Sequence, residues 1–279
     1  MQPSAHPSFT NQASAWRVHI IVTAARLLVL LLLPSLSAVA FPTLTPEGTR
    51  AFDRYVESVE AAMTDAARSF PQINQKNKLR GGEVRIDSAP PQDIDIPGGM
   101  IQDWRGSMFI PMANIQKVKA VLQDYDRYKQ FYKPEVIESK QLAHHGDEYD
   151  IFLRLLKRQA WVTVVLNSEY HVRFTQPDPR HMLVVSRSTR IGEVVDADRS
   201  LTEEEPPGRD SGFLWRLNSY WRFEEADGGV YAECRAISLS RDLPPGLGWM
   251  IKGFVSKFPK ESMQNTLRGT KAAVEAHSF

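Results

Sequence analysis

The sequence of 279 residues contains a single cysteine, Cys234. That excludes an internal disulfide and a cysteine-built metal cluster. Charge of one sign is missing too: Lys and Arg total 34 against 33 Asp and Glu, for a formal net charge of +1. Without a basic excess there is no electrostatic footprint for nucleic acid, and no nucleic-acid partner is expected. There is no Walker-type phosphate loop, zinc-protease helix motif or nucleophile elbow. Gly246-Leu247-Gly248 opens a helical pattern, but a dinucleotide fingerprint would need a third glycine where Ile251 stands. His144-His145 is adjacent rather than spaced for one face, and it precedes a Gly-Asp turn, so it reads as an exposed turn and not a metal site. The expectation is therefore no catalytic residue, no metal and no cofactor, and a non-enzyme rather than an enzyme. Cys234 reads as a small core residue.

At the N-terminus, Arg17, His19 and Arg26 precede the apolar run Leu27 to Leu36, and Ala38-Val39-Ala40 follows as a small-x-small cleavage site. The run is shorter than the about 20 residues a membrane span needs. Residues 1–40 read as a secretory signal, with the rest of the chain periplasmic or secreted. Counted from Val18, the run approaches spanning length with Arg26 inside it, and an uncleaved inner-membrane anchor is the alternative.

Thr45-Pro46-Glu47 combines a capping Thr, a Pro at the first helical position and an acid in the first turn. Phe52, Tyr55, Val56, Val59, Met63 and Ala67 then share one helical face, so residues 41–71 hold an amphipathic helix ending near Ser69 and Pro71. It either packs on the outside of the domain or covers a binding site. Residues 72–99 are polar and rich in Pro and Gly, and read as a linker with one short strand, Glu83 to Asp87, and turns at Pro90-Pro91 and Pro97-Gly98-Gly99. The main domain is expected over residues 100–276. A strand, Met100 to Ile110, is followed by a helix, Asn114 to Gln123, and a second short helix before Pro134. Strands are expected over Val136 to Leu142, Tyr149 to Leu156, Val162 to Phe174 and Met182 to Val195. An acidic Pro-Gly loop, Asp196 to Ser211, follows.

The most informative stretch begins at Gly212. Asp227-Gly228 between two strand-like runs predicts a type I′ hairpin, which requires positive φ at both central positions. That turn sets Arg222 opposite Glu233 and Tyr220 opposite Arg235. On the other face Phe223 meets Ala232, Trp221 meets Cys234 and Ser219 meets Ala236. A slip of one residue would reverse every side chain. Trp215, Leu217, Ser219, Trp221 and Phe223 are thus predicted to line the buried face, opposite small residues that leave room for a helix or a ligand. Arg222, Glu233 and Arg235 point outward as a structural ion pair. Leu247, Met250, Ile251, Phe254 and Phe258 recur at helical spacing, continued by Met263, Leu267 and Val274. Pro259 predicts a kink or break in that helix. The cationic face, including Lys260, Arg268 and Lys271, reads as solvated, with peripheral membrane contact as the alternative.

These elements make an α+β chain: strand, two helices, a run of antiparallel strands, and a long C-terminal helix. Three segments resemble the START-like (SRPBCC, helix-grip) superfamily: IPMANIQKVKAVLQDYDRYKQFYKPEV, GFLWRLNSYWRFEEADGGVYAECRAISLSRDLP and GLGWMIKGFVSKFPKESMQNTLRGTKAAV. The likeness covers roughly Met100 to Val274. It is greatest to uncharacterised bacterial members, with polyketide cyclases and the coenzyme Q-binding type as relatives. The resemblance implies a curved antiparallel sheet of about seven strands wrapped around the C-terminal helix, with a cavity between them. It transfers no catalytic motif. The expected ligand is a small hydrophobic molecule such as a lipid or isoprenoid. Candidate cavity residues are Trp215, Leu217, Ser219, Trp221, Phe223, Arg187, Trp249, Phe254 and Phe258. Arg154, Arg190 and Glu193 join Arg187 as charges whose facing the pattern leaves open. A cyclase or dehydratase using the same cavity, or an envelope interaction module, are the alternative functions.

Overall fold

In the computed structural model Asp227 and Gly228 both take positive φ, 53° and 76°. The turn they form joins strands Arg216–Ala226 and Gly229–Arg241 in the predicted register, with Arg222 opposite Glu233 and Trp221 opposite Cys234. The structure describes residues 43–66, 76–159, 162–206, 208–241 and 257–277. Helices α1 (Pro46–Ala66) and α2 (Lys76–Arg80) precede strands β1 (Arg85–Ile96) and β2 (Gly99–Pro111). Helix α3 (Ile115–Gln123), a 3-10 turn (Tyr125–Arg127) and α4 (Tyr128–Phe131) follow. The chain then runs through β3 (Val136–His145), β4 (Glu148–Gln159), β5 (Val162–Asp178), β6 (His181–Glu193), β7 (Arg216–Ala226) and β8 (Gly229–Arg241) to α5 (Lys257–Ala276). The sheet has eight antiparallel strands in the order β1-β2-β8-β7-β6-β5-β4-β3. Sequential strands β3 to β8 form a meander, and β8 closes back on β2.

This is the expected α+β helix-grip arrangement, with one strand more than the seven or so expected. The stretch expected to be a linker contains α2 and the whole of β1. Pro90-Pro91 do not form the expected turn. They fall in an irregularity between Ser88, opposite Trp104, and Asp93, opposite Gln102. A bulge on an edge strand accommodates prolines because no ladder N–H is required of them there.

Each face of the sheet has its own cover. On one, Trp104 and Met108 of β2, Trp221 and Phe223 of β7 and Tyr149 of β4 pack with Val118 of α3 and with Met263 and Leu267 of α5. Helix α5 crosses β2 at Gly106, where a Cβ would lie only 2.4 Å from Leu267 Cδ1 and 2.9 Å from Met263 Cγ. Glycine at that point is what lets the helix approach so closely. On the opposite face, Phe52, Val56 and Val59 of α1 pack on Ile101, Tyr220, Ile237 and Leu239. Thr45 caps α1 as predicted, its Oγ1 accepting from Gly48 N at 3.0 Å. Helix α1 therefore lies on the outside of the sheet, away from α5.

Pro259 lies in the first turn of α5 as described, where a missing N–H removes no helical hydrogen bond. The predicted stripe residues Leu247, Met250, Ile251 and Phe254 lie outside the described residues. The other expected helical landmark, Asn114, caps α3 through its side chain, which accepts from Lys117 N at 2.8 Å.

Cys234 is 2% exposed in the core beneath α5, and burial pushes its thiol pKa far up. A thiol kept protonated and covered is a poor nucleophile. Ellman's reagent is expected to leave the native protein unmodified and to titrate one thiol per chain in guanidinium. Rapid reaction of the native protein would contradict this placement.

Candidate functional site

The α5-facing side of the sheet can be read row by row from the strand register. One row runs Gly106, Cys234, Trp221, Val184 and Phe174 across β2, β8, β7, β6 and β5. Its four side chains are all buried. Trp221 stacks on Phe223 at 5.4 Å between ring centroids, and this end of the face is filled. The next row away from the hairpin turn runs Trp104, Ala236, Ser219, Ser186 and Val172. The three central strands here carry only Ala and Ser, and all three residues are half-buried despite lying on the interior face. In the row beyond, Ser238 and Leu217 are again half-buried, between Gln102 and Tyr170. Ser188 completes that row, its hydroxyl accepting from Leu217 N at 3.0 Å.

The result is a floor of side chains that, apart from Leu217, are small, across β8, β7 and β6, walled by Trp104 on β2 and Tyr170 on β5. At about 4.8 Å per strand step, the walls are separated by roughly 19 Å along the sheet. Trp104 Nε1 and the Tyr170 hydroxyl are buried and have no hydrogen-bond partner among the described residues. The same holds for the hydroxyl of Tyr125, whose ring packs 5.2 Å from Tyr149 at the far end of the Trp104 row. The neighbouring Ser168 hydroxyl donates to Leu153 O at 2.7 Å. Burial raises the Tyr170 pKa to about 12 against an opposing effect of the Ser168 hydroxyl, which lies close by but outside hydrogen-bond geometry, so the phenol is neutral at physiological pH. Farther along, Lys157 of β4 forms an ion pair with Glu135 and a hydrogen bond with Ser262 of α5. Burial lowers the Lys157 pKa, against the opposing pull of Glu135.

Of the residues predicted from sequence, Leu217 and Ser219 belong to the floor, and Trp221 and Phe223 form its closed end. Phe258 is buried at the start of α5 and meets Phe213 edge-on at 5.2 Å. Trp249 and Phe254 lie outside the described residues. Two placements differ from expectation. Trp215 packs with the α1-side cluster, its indole N–H bonding Asp210 Oδ1 at 2.8 Å. It precedes the first residue of β7, so strand alternation does not reach it. Arg187 also faces α1, bonding Glu60 through Nη2 at 2.7 Å. A guanidinium is better accommodated beside a carboxylate there than on the apolar side. Arg154 pairs with Glu138, and Arg190 with Glu169 and Glu204, on that same outer side. Glu193 accepts from the N and Oγ of Ser211, and burial raises its pKa.

The hairpin charges lie on the predicted side, but α1 covers the two arginines, and Arg235 pairs with Asp103 rather than with Glu233. Asp103 is wholly buried and accepts from Arg235 Nε at 2.9 Å and from the Tyr55 hydroxyl of α1 at 2.7 Å. Glu60 Oε1 also accepts from the Tyr220 hydroxyl at 2.7 Å. Arg222 is buried beneath α1 and reaches Met63 O at 3.3 Å. Burial lowers the Arg222 pKa, and the charge of Glu233 opposes that shift.

Sequence reasoning missed Trp104, Tyr170, Ser186 and Ser188. Each strand shows its own alternation, but the loop before β7 hides how β6 is registered against it.

No family model matches this chain, and no curated protein matches it. Among solved structures it is similar to a protein of Thermus thermophilus, with 16% identity, TM-score 0.46, and coverage of 63% of this chain and 99% of that one. A STAR-related lipid transfer protein fragment from Xanthomonas axonopodis aligns with 17% identity and TM-score 0.46, over 68% of this chain and 98% of that one. The Zhui aromatase/cyclase of a Streptomyces species aligns with 10% identity and TM-score 0.44, over 63% of this chain and 94% of that one. At this level of similarity, these likenesses carry no argument about function.

Proposed function

We propose that the chain is a binding or carrier protein for a small hydrophobic molecule, a lipid, isoprenoid or similar, seated on the small-residue floor between the sheet and α5. The observation that carries this reading is the change in packing along one face. Trp221, Val184 and Phe174 seal one row, while Ala236, Ser219 and Ser186 in the next leave half-buried interior surface. Natural cores are packed to nearly crystalline density, so a row of small side chains beside large aromatics marks space for something else. The working place for such a carrier is the cell envelope, in the periplasm after signal cleavage or tethered to the inner membrane by the apolar run near the N-terminus.

A second reading, a cyclase- or dehydratase-type enzyme, draws on Lys157 and Glu135, an ionisable pair reaching α5 from the adjoining part of the sheet. Proton transfer needs such groups in a perturbed environment.

Native mass spectrometry of the protein purified from its own envelope, followed by organic extraction, tests the carrier reading. The expected result is a stoichiometric apolar adduct that is released by solvent. A protein that is empty in the spectrum and yields no extractable lipid would count against it.

A further inference from the structure

Resting on the binding role proposed above, the geometry points to an uncharged ligand bearing a hydrogen-bond acceptor oxygen, such as a ketone or ester carbonyl, which Trp104 recognises at one wall of the floor while Tyr170 receives a polar group at the other. Trp104 is 6% exposed and Tyr170 5%, and neither Trp104 Nε1 nor the Tyr170 hydroxyl has a hydrogen-bond partner among the described residues. Buried polar groups are nearly always hydrogen-bonded, so two orphans flanking one half-open floor are best explained by a partner that arrives with the ligand. The two differ in what they accept. An indole N–H only donates, so the ligand atom facing Trp104 must be an acceptor. A phenol donates or accepts, so Tyr170 tolerates either kind of group. A ligand carboxylate is disfavoured. Lys157, the cation on the same face of β4, lies six residues beyond Ile151, the cross-strand partner of Tyr170, and is already paired with Glu135, and a buried anion without a counter-charge is costly.

The test uses the full chain and three probes of nearly equal size: 2-acetylnaphthalene, 2-ethylnaphthalene and 2-naphthoate, with binding read by equilibrium dialysis. The ketone is expected to bind about tenfold more tightly than the ethyl compound, as one buried hydrogen bond allows, and more tightly than the carboxylate. The ketone-to-ethyl ratio is expected to fall in Trp104→Phe and to reach about one in the Trp104→Phe, Tyr170→Phe double variant. A ratio cancels any packing loss common to both probes. In ligand-free protein, Tyr170→Phe is expected to keep or raise Tm, because it deletes an unsatisfied buried hydroxyl. A ratio near one in the wild type, a ratio unchanged by Trp104→Phe or surviving the double substitution, or tightest binding of naphthoate would overturn the inference and leave the carrier reading intact. Failure of all three probes to bind would count against both.

Discussion

Leu267→Ala is expected to cost about 2–5 kcal/mol of unfolding free energy, the range for truncating a buried leucine that leaves a cavity. Leu267 is 0% exposed and sits over Gly106, where α5 crosses β2. Gly106 has no side chain to move into the vacated space, and Met263 already packs against the same side of the glycine. The site therefore collapses poorly, which places the loss in the upper part of the range. Leu267→Met keeps most of the volume and is expected to cost less than about 1.5 kcal/mol. Urea titration of both variants measures the difference, with an unchanged m-value showing that the unfolded state is not what moved. If Leu267→Ala cost no more than Leu267→Met, the α5 to β2 contact would not be a main attachment of the helix.

Asp103→Ala is expected to be as damaging, by about 3–5 kcal/mol, because it leaves a largely buried guanidinium without its counter-charge. Asp103 is 0% exposed, and it holds both Arg235 on β8 and Tyr55 on α1. The arginine is the costly survivor. Replacing both partners, as Asp103→Leu with Arg235→Leu, is expected to recover most of the loss, since apolar replacement of a whole buried pair is often neutral. Tyr55→Phe removes one hydrogen bond and is expected to cost only about 1 kcal/mol in comparison. Denaturation of these variants beside the wild type, with the two single leucine substitutions completing a double-mutant cycle, separates the contributions. Asp103→Ala should also loosen α1, read as faster proteolysis within Pro46–Ala66. Wild-type stability in Asp103→Ala would mean that the pair is solvated and α1 does not seal it.

Much of this architecture is legible in the sequence. The Asp227-Gly228 turn needs positive φ at both positions, and that local demand sets the β7 to β8 register with every cross-strand pair. The Thr45 cap, the α1 stripe and the order of strands and helices rest on equally local signals. Ala232, Cys234 and Ala236 are legible as small partners of large aromatics for the same reason. Local periodicity reports which residues share a face. It does not report what covers that face. Arg235 and Arg222 lie opposite the aromatic side as expected, yet only the docking of α1 covers them, Arg222 fully and Arg235 in large part, so that they need Met63 O and Asp103. Trp215 keeps the spacing of β7 but precedes the strand, so its side is decided by Asp210 and the α1 cluster. The floor requires still more. Ser186 faces Ser219, and Ser188 bonds the Leu217 backbone, only because β6 pairs with β7 across a loop whose length carries no register. Pairing between distant segments is chosen by the free energy of the whole packed sheet, and that sum is what places Trp104 and Tyr170 on opposite walls of one space.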